Sequence, residues 1–375
     1  MSSTASILLV GLGGAGCSMV ARLASSLPPQ VRAVLLDADL NALQNSAVAE
    51  TLQLGRSLTR GMGTGGESAL GLAAIESEEP ALRRLFTGVP IVVLVTGLGG
   101  GLGSGAAPAL ATIATEAGST VLAFATIPFS HEGERRKRLA SDALEKLSAK
   151  AHGLVVVQND LLSLQVSADA SLAEAFAAAD DWVAGALRAL ASIFEAGALV
   201  PVDPAALRSI LAHPGSPTLF TSGKAQGPQA ALLAARAATE SALAHGPDVI
   251  SKVASLFVSV TGGSALSASD AFEAVNIIRA KFGGETTTIV GARIKPELGD
   301  GVEVAVIGAS APAPKAPKMR KTAKAGDPNQ ALFGFATEES LRRGIFGSAP
   351  FTFVDGVDID VPTYIRRSIR LSPPK

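Results

Sequence analysis

Four glycines, Gly11, Gly13, Gly14 and Gly16, crowd the end of the first apolar run, "ILLVGLGGAG". Residues without a β-carbon let successive backbone N–H groups face one way at close range. Where such a turn joins a strand to a helix, the positive end of the helix dipole is added. The chemistry on offer is the holding of an anion. The spacing satisfies G-x-G-x-x-G, and "VLLDAD" places Asp37 and Asp39 about twenty residues further on, as in a dinucleotide-binding unit whose acid meets a ribose. On this loop alone the expected ligand is NAD and the expected activity that of an oxidoreductase.

A second and denser loop changes the expectation. "VTGLGGGLGSGAAP" carries Gly97, Gly99, Gly100, Gly101, Gly103 and Gly105 between a strand-like run and a helix-like one. A dinucleotide unit has no use for two such loops, whereas a nucleoside triphosphate can be gripped from both. Neither loop ends in Gly-Lys-Ser/Thr, so a P-loop is excluded.

The elements that must position these loops alternate along the first half of the chain. "ILLVG", "VRAVLLDA", "PIVVLVTG", "STVLAFATIP" and "GLVVVQ" read as strands. "APALATIATEAG", "ERRKRLASDALEKLSAKA" and the long "SLAEAFAAADDWVAGALRALASIFEA" read as helices. That grammar predicts a parallel sheet covered by helices, the last helix serving as a spine between two domains. After "GALVPVDPAALRSIL" it shifts. Helices "PQAALLAARAATESALA" and "SASDAFEAVNIIRAKFG" separate strands "KVASLFVSVTGG", "ETTTIVGARIKP" and "GVEVAVIGAS", a smaller α+β domain. Expected boundaries are 1–197 for the nucleotide-binding domain with its central helix and 198–310 for the α+β domain. A Pro-, Ala- and Lys-rich tether over 311–350 and a C-terminal peptide over 351–375 follow.

Composition removes several classes of function. With 375 residues, 47% of them apolar, the chain can bury a large core, and 32 basic against 33 acidic residues create no overall field toward nucleic acid or an anionic membrane. The single cysteine, Cys17, rules out an internal disulfide framework and a cysteine-rich metal site. "MSSTAS" lacks the basic start of a signal peptide, and no apolar stretch reaches the roughly 18 residues of a membrane span. A cytoplasmic location is expected.

Beyond the two loops, the chain resembles the tubulin/FtsZ superfamily, and within it the bacterial cell-division branch. "GGGLGSG" is similar to the tubulin signature, usually GGGTG followed by Ser, Ala or Thr and Gly. "GLGGAGCSMV" resembles the family's first glycine loop and "SLTRGMGTGGESALG" its third. "IPFSHEGERRKR" looks like the segment whose Glu and Arg meet ribose and phosphate, "VVVQNDLL" like the base-side Asn-Asp, and "AFAAADD" like the start of the central helix. The likeness runs in order over 6–310. It implies an α/β, tubulin/FtsZ-like fold and a cytoskeletal GTPase that polymerises head-to-tail into the cell-division ring at mid-cell. Hydrolysis would be completed at the interface between subunits.

By the same resemblance, Gly13, Gly14, Gly16, Gly63, Gly65, Gly100, Gly101, Gly103 and Ser104 would surround the phosphates of GTP or GDP. Ser18 would stand at the nucleoside, where the family has Asn. Glu132 and Arg136 would reach ribose and phosphate, and Asn159, Phe176 and Asp181 the guanine. The residue types suit these roles: Phe176 offers a stacking face, and the carboxylate of Asp181 can accept from guanine N1–H and N2–H together, which adenine cannot satisfy. Mg²⁺ would be held mainly by phosphates and water, with no protein ligand assigned to it.

The sequence departs from the family in the loop after the central helix. There the family reads roughly N-V-D-F-A-D and enters the neighbouring subunit's site to position the attacking water. Here it reads Pro201-Val202-Asp203-Pro204-Ala205-Ala206, so only Asp203 remains of three polar groups. Asp followed by Pro is also a helix N-cap with Pro at the first helical position. Since phosphoryl transfer relies on positioning and charge stabilisation, the loss predicts weak hydrolysis, with a filament protein that binds GTP and scarcely turns it over as the alternative. Leu102 in place of the signature Thr points the same way.

The tail holds a basic cluster, Lys315, Lys318, Arg320, Lys321 and Lys324, and then "DIDVPTYIRR". Asp360, Val361, Pro362, Tyr364, Ile365 and Arg366 resemble the short peptide by which the family's cell-division members bind membrane adaptors. Contact with a membrane would be indirect, and no nucleic-acid partner is expected.

Overall fold

The computed structural model describes residues 7–44, 46, 48, 50–160, 171, 174, 183–190, 199–200, 204–211, 218–241, 253–283 and 286–310, and the pairs 353–354 and 357–358. Residues 1–315 form one compact unit and 316–375 a second. In the second unit the described structure is a two-residue antiparallel ladder, Phe353–Val354 with Val357–Asp358. The peptide Asp360 to Arg366 lies outside the described residues.

Unbroken apolar runs suit parallel strands buried on both faces. Such runs supply the middle of one six-stranded parallel sheet, β1 (Ile7–Leu12), β2 (Val31–Asp37), β3 (Thr51–Gln53), β4 (Ile91–Gly97), β5 (Thr120–Ile127) and β6 (Gly153–Gln158), in the order β3-β2-β1-β4-β5-β6. Alternation sorts the side chains of β1: Ile7 and Leu9 enter one core, Leu8, Val10 and Leu12 the other. The three-residue edge strand β3 is too short and too exposed to announce itself in sequence.

Helices α1 (Gly13–Leu23), α2 (Leu40–Gln44), α3 (Arg56–Thr59), α4 (Ser68–Ser77), α5 (Glu79–Phe86), α6 (Gly101–Glu116) and α7 (Glu134–Ser148) accompany this sheet. The helix expected over 107–118 thus begins earlier, at Gly101, and the dense glycine loop is partly the first turns of α6. Helices α4 and α5 were not anticipated: α4, "SALGLAAIES", is apolar nearly all round and shows no stripe at helical spacing. Of the long central helix, residues 183–190 are described and are helical, with Val183, Leu187 and Leu190 buried.

A second, four-stranded sheet runs β7 (Thr218–Ala225), β10 (Val302–Ser310), β8 (Val253–Gly262) and β9 (Thr287–Ile294) in that order; β10 is antiparallel to both neighbours, and β8 is parallel to β9. Strand β7, "TLFTSGKA", does not stand out in the sequence because six of its eight residues are small or polar; its pairing with β10 reveals it. Helices α8 (Pro204–Ile210), α9 (Ala230–Glu240) and α10 (Ala268–Phe282) complete the unit. α9 and α10 cover one face of this sheet. From its other face Phe220, Phe257 and Ile307 enter the core that also holds Leu9 and Phe124. There the rings of Phe124 and Phe220 meet edge-on, 5.5 Å between centroids.

Candidate nucleotide-binding site

In the order β3-β2-β1-β4-β5-β6 the direction of winding reverses between β1 and β4, and a crevice opens at their carboxyl ends. Both glycine loops are there, because α1 follows β1 and α6 follows β4. The crevice is a cavity of about 590 Å³, within the usual span for a small-molecule site.

Gly13, Gly14, Gly100, Gly101 and Gly103 line it. Gly13 sits at φ +72, a left-handed conformation that lets β1 turn at once into α1. At Gly14 and Gly100 an added β-carbon would meet no atom within 4 Å, so the backbone there is open to the cavity. Gly103 is different: its β-carbon would stand 2.1 Å from the carbonyl oxygen of Gly97, so glycine is what lets α6 lie against the end of β4.

Gly16 and Ser104, predicted alongside these, are not on the wall. A β-carbon at Gly16 would be 2.2 Å from the Val95 carbonyl oxygen; its lack of side chain brings α1 onto β4. Ser104 Oγ accepts from the Gly99 N–H at 2.8 Å and braces the loop from within. Ser18 is exposed on α1 away from the lining. In the third loop the wall is formed by Thr64 and Gly66 rather than by Gly63 and Gly65. This loop is packed on the second one, since a β-carbon at Gly101 would come within 2.6 Å of Thr64 Oγ1 and the Glu67 nitrogen.

Glu132, Arg136 and Asn159 also line the cavity. Glu132 Oε1 accepts from the Phe129 N–H at 2.8 Å, and its other oxygen pairs with Arg136, which fixes both at the rim. Asn159, at the end of β6, is 8% exposed, and its Oδ1 has no hydrogen-bond partner. A buried acceptor left unmade is costly and fits a donor supplied by a ligand. Phe176, Asp181, Pro201 and Asp203 lie outside the described residues.

Several wall residues were not among those that the superfamily resemblance assigns to the nucleotide. Thr126 is the penultimate residue of β5 and Pro128 follows it, Leu98 follows β4, and Asp37 ends β2 with Asp39 just beyond. Their common signal is position, each at the carboxyl end of a parallel strand. Asp37 is almost fully buried, and burial is the main cause that pushes its carboxyl above the usual aspartate range; the N–H groups of Asp39 and Ala38 pull it down, and the charge of Asp39 adds a further upward push. Cys17, on the buried face of α1, donates toward the carbonyls of Gly11 and Leu36 and its thiol is pushed up to about 12, chiefly by burial, so it is an unreactive core thiol.

The model of the tubulin/FtsZ family GTPase domain matches residues 6–166, and that of the FtsZ family C-terminal domain matches residues 217–311. The chain belongs to the tubulin/FtsZ family. The cell division protein FtsZ of Pseudomonas aeruginosa is 32% identical over 308 residues, covering 82% of this chain and 77% of that protein. FtsZ of Wigglesworthia glossinidia brevipalpis is 30% identical over 321 residues, covering 85% and 83%. Among solved structures, an empty FtsZ dimer from M. jannaschii superposes with a TM-score of 0.75 at 28% identity, covering 82% of this chain and 88% of that one. A GTPγS-bound protofilament of CetZ2 from Haloferax volcanii shares the fold, with a TM-score of 0.66 at 22% identity over 82% and 94%. With the tubulin/FtsZ GTPase domain spanning both glycine loops, the oxidoreductase reading is not needed.

Proposed function

We propose that GTP binds in the cavity at the carboxyl ends of β1 and β4, its phosphates on the backbone of Gly13, Gly14, Gly100, Gly101 and Gly103. As a tubulin/FtsZ family member, the chain is a GTP-binding cytoskeletal protein of cell division, a GTPase that associates with itself. One observation carries the placement: the N-terminal turns of α1 and α6, both free of side chains on the open side, face one cavity. Asn159 Oδ1, buried and without a donor, supports the guanine at the far wall, with Phe176 and Asp181 completing that end. Glu132 and Arg136 take the ribose and an adjoining phosphate oxygen.

Mg²⁺ would enter as a companion of the phosphates: among the described residues no group of three or more His, Cys, Asp or Glu side chains could hold it. When bound, it would neutralise charge on the phosphate oxygens. In hydrolysis a water oxygen replaces the bridging oxygen at the terminal phosphorus. The water is oriented by Asp203 of the next copy, which accepts a hydrogen bond from it. Head-to-tail contacts of this kind propagate instead of closing, so the product is a filament. Pro201 and Ala206, standing where the family has Asn and Asp, make the turnover slow. The peptide from Asp360 through Val361, Pro362, Tyr364 and Ile365 to Arg366 links the filament to membrane adaptors at mid-cell; among the described residues no helix is long and apolar enough to cross a membrane.

The test is sedimentation of the purified chain with GTP, GDP or NAD while released phosphate is counted. Pelleting with GTP alone, and phosphate release that begins only above a threshold protein concentration, is the expected result. Release proportional to protein at every concentration would overturn the shared-site reading.

A further inference from the structure

The second glycine loop is held from two sides. On one, a β-carbon at Gly99, whose φ is +91, would stand 3.2 Å from the Arg136 carbonyl oxygen and 3.0 Å from Pro128 Cγ, so the loop lies against the start of α7. On the other, Gly101 lies against the backbone nitrogen of Glu67, at the end of the third loop. Outside both contacts an Nη of Arg135, in the first turn of α7, donates to Glu67 Oε1 at 2.6 Å and closes the bracket. Glu67 is the N-cap residue of α4, yet its side chain makes no capping bond and turns to Arg135 instead.

The third loop is of a kind that needs such a tie. Gly61, Gly63, Gly65 and Gly66 all take left-handed φ, between +57 and +83, and a run of glycines is costly in chain entropy to order. Its start is fixed by the Leu40 N–H, which bonds the Gly61 carbonyl at 3.1 Å, whereas β-carbons at Gly65 and Gly66 would meet no atom within 4 Å. The ion pair falls at the other end of the loop, one residue beyond Gly66. We infer that Glu67 and Arg135 are a positioning pair for GTP binding, a clasp that keeps Thr64 and Gly66 on the cavity wall and holds the amides of Gly100 and Gly101 between the third loop and α7. The inference rests on the reading above that the phosphates lie on those amides. Its mark is a direction. A carboxylate near a polyphosphate repels it, so removing the Glu67 charge would tighten GTP if Glu67 acted through its field alone. As half of a clasp, its removal loosens the wall and weakens GTP.

The test is equilibrium dialysis of the full chain against GTP, below the protein concentration at which it pellets. Glu67→Gln and Arg135→Gln each weaken GTP about twofold to fivefold, the reach of one exposed ion pair. In the Arg135→Gln background Glu67→Gln weakens it no further. At about 1 M KCl, where the screening length is about 3 Å, the parent and Glu67→Gln bind alike. Gly14→Ala is run beside them. Glu67→Gln that binds GTP as well as the parent or tighter, with Gly14→Ala weakened, overturns the inference and leaves the phosphates where they are placed. Parental affinity in Gly14→Ala overturns the reading underneath. A Glu67→Gln loss that is undiminished in the Arg135→Gln background also overturns the clasp, because Glu67 would then act without Arg135.

Discussion

Gly105 of α6 rests on the backbone of Ser68 at the start of α4: a β-carbon on Gly105 would stand 2.0 Å from the Ser68 carbonyl oxygen. The contact is reciprocated one turn along, where a β-carbon on Gly71 would be 2.4 Å from the carbonyl oxygen of Gly101. These glycines set how closely the helix that bears the second loop approaches the helix that follows the third. They therefore set the width of the cavity between the loops.

Gly105→Ala accordingly forces α4 and α6 apart. The expected cost is about 1–3 kcal/mol, as for other overpacked contacts, read from urea unfolding, with GTP affinity falling alongside. Gly14→Ala has the opposite signature. Its methyl meets no protein atom, so stability holds or rises by up to about 1 kcal/mol from helix propensity, while GTP affinity drops because the methyl occupies the cavity floor.

Asn159→Leu separates binding from folding. Its Oδ1 has no partner in the protein, so stability without nucleotide stays level or improves. GTP affinity falls about tenfold for a lost hydrogen bond of roughly 1–1.5 kcal/mol. Thermal melts with and without GTP read both effects; a loss of stability equal in the two would show that Asn159 serves only the fold.

Asp37 makes stability depend on pH in a defined direction. Its folded carboxyl holds a proton to higher pH than in the unfolded chain, so the group costs stability as pH rises from about 4, and the cost is complete above its folded value. Asp37→Asn keeps an acceptor for the Asp39 N–H, now 3.0 Å from Asp37 Oδ1. The variant melts higher than the parent at pH 7, and the gain disappears below about pH 4. A gain that persisted at low pH would assign the effect to packing.

Restoring the loop after the central helix, Pro201→Asn with Ala206→Asp, raises phosphate release per pelleted subunit by about tenfold or more, since two groups able to orient water return. An unchanged rate at equal polymer mass would remove those two positions as the cause of slow turnover.

Much of the first sheet was readable in advance because β1, β4 and β5 are uninterrupted apolar runs, and only a strand covered on both faces by helices tolerates such a run. The strands that escaped notice, β3 and β7, owe their existence to neighbours: β3 adds to the edge of β2, and β7 pairs along β10. Helix α4 escaped because its apolar residues are spread nearly all round it, Ala69 and Leu72 exposed as well as Ala74 and Ile75 buried, which erases the stripe that marks a surface helix.

The sequence by itself determined that two glycine-rich turns follow two parallel strands, and that anion binding must be sought there, because strand, turn and helix start are all encoded within a few adjacent residues. Which glycines face the ligand was decided only by the tertiary structure. Gly14 and Gly16 belong to the same turn, yet Gly14 looks into open space on the cavity wall while Gly16 lies against the Val95 carbonyl oxygen of β4 and is off the wall. That difference depends on what lies across from each α-carbon, a contact made between segments far apart in the chain, and no local spacing encodes it.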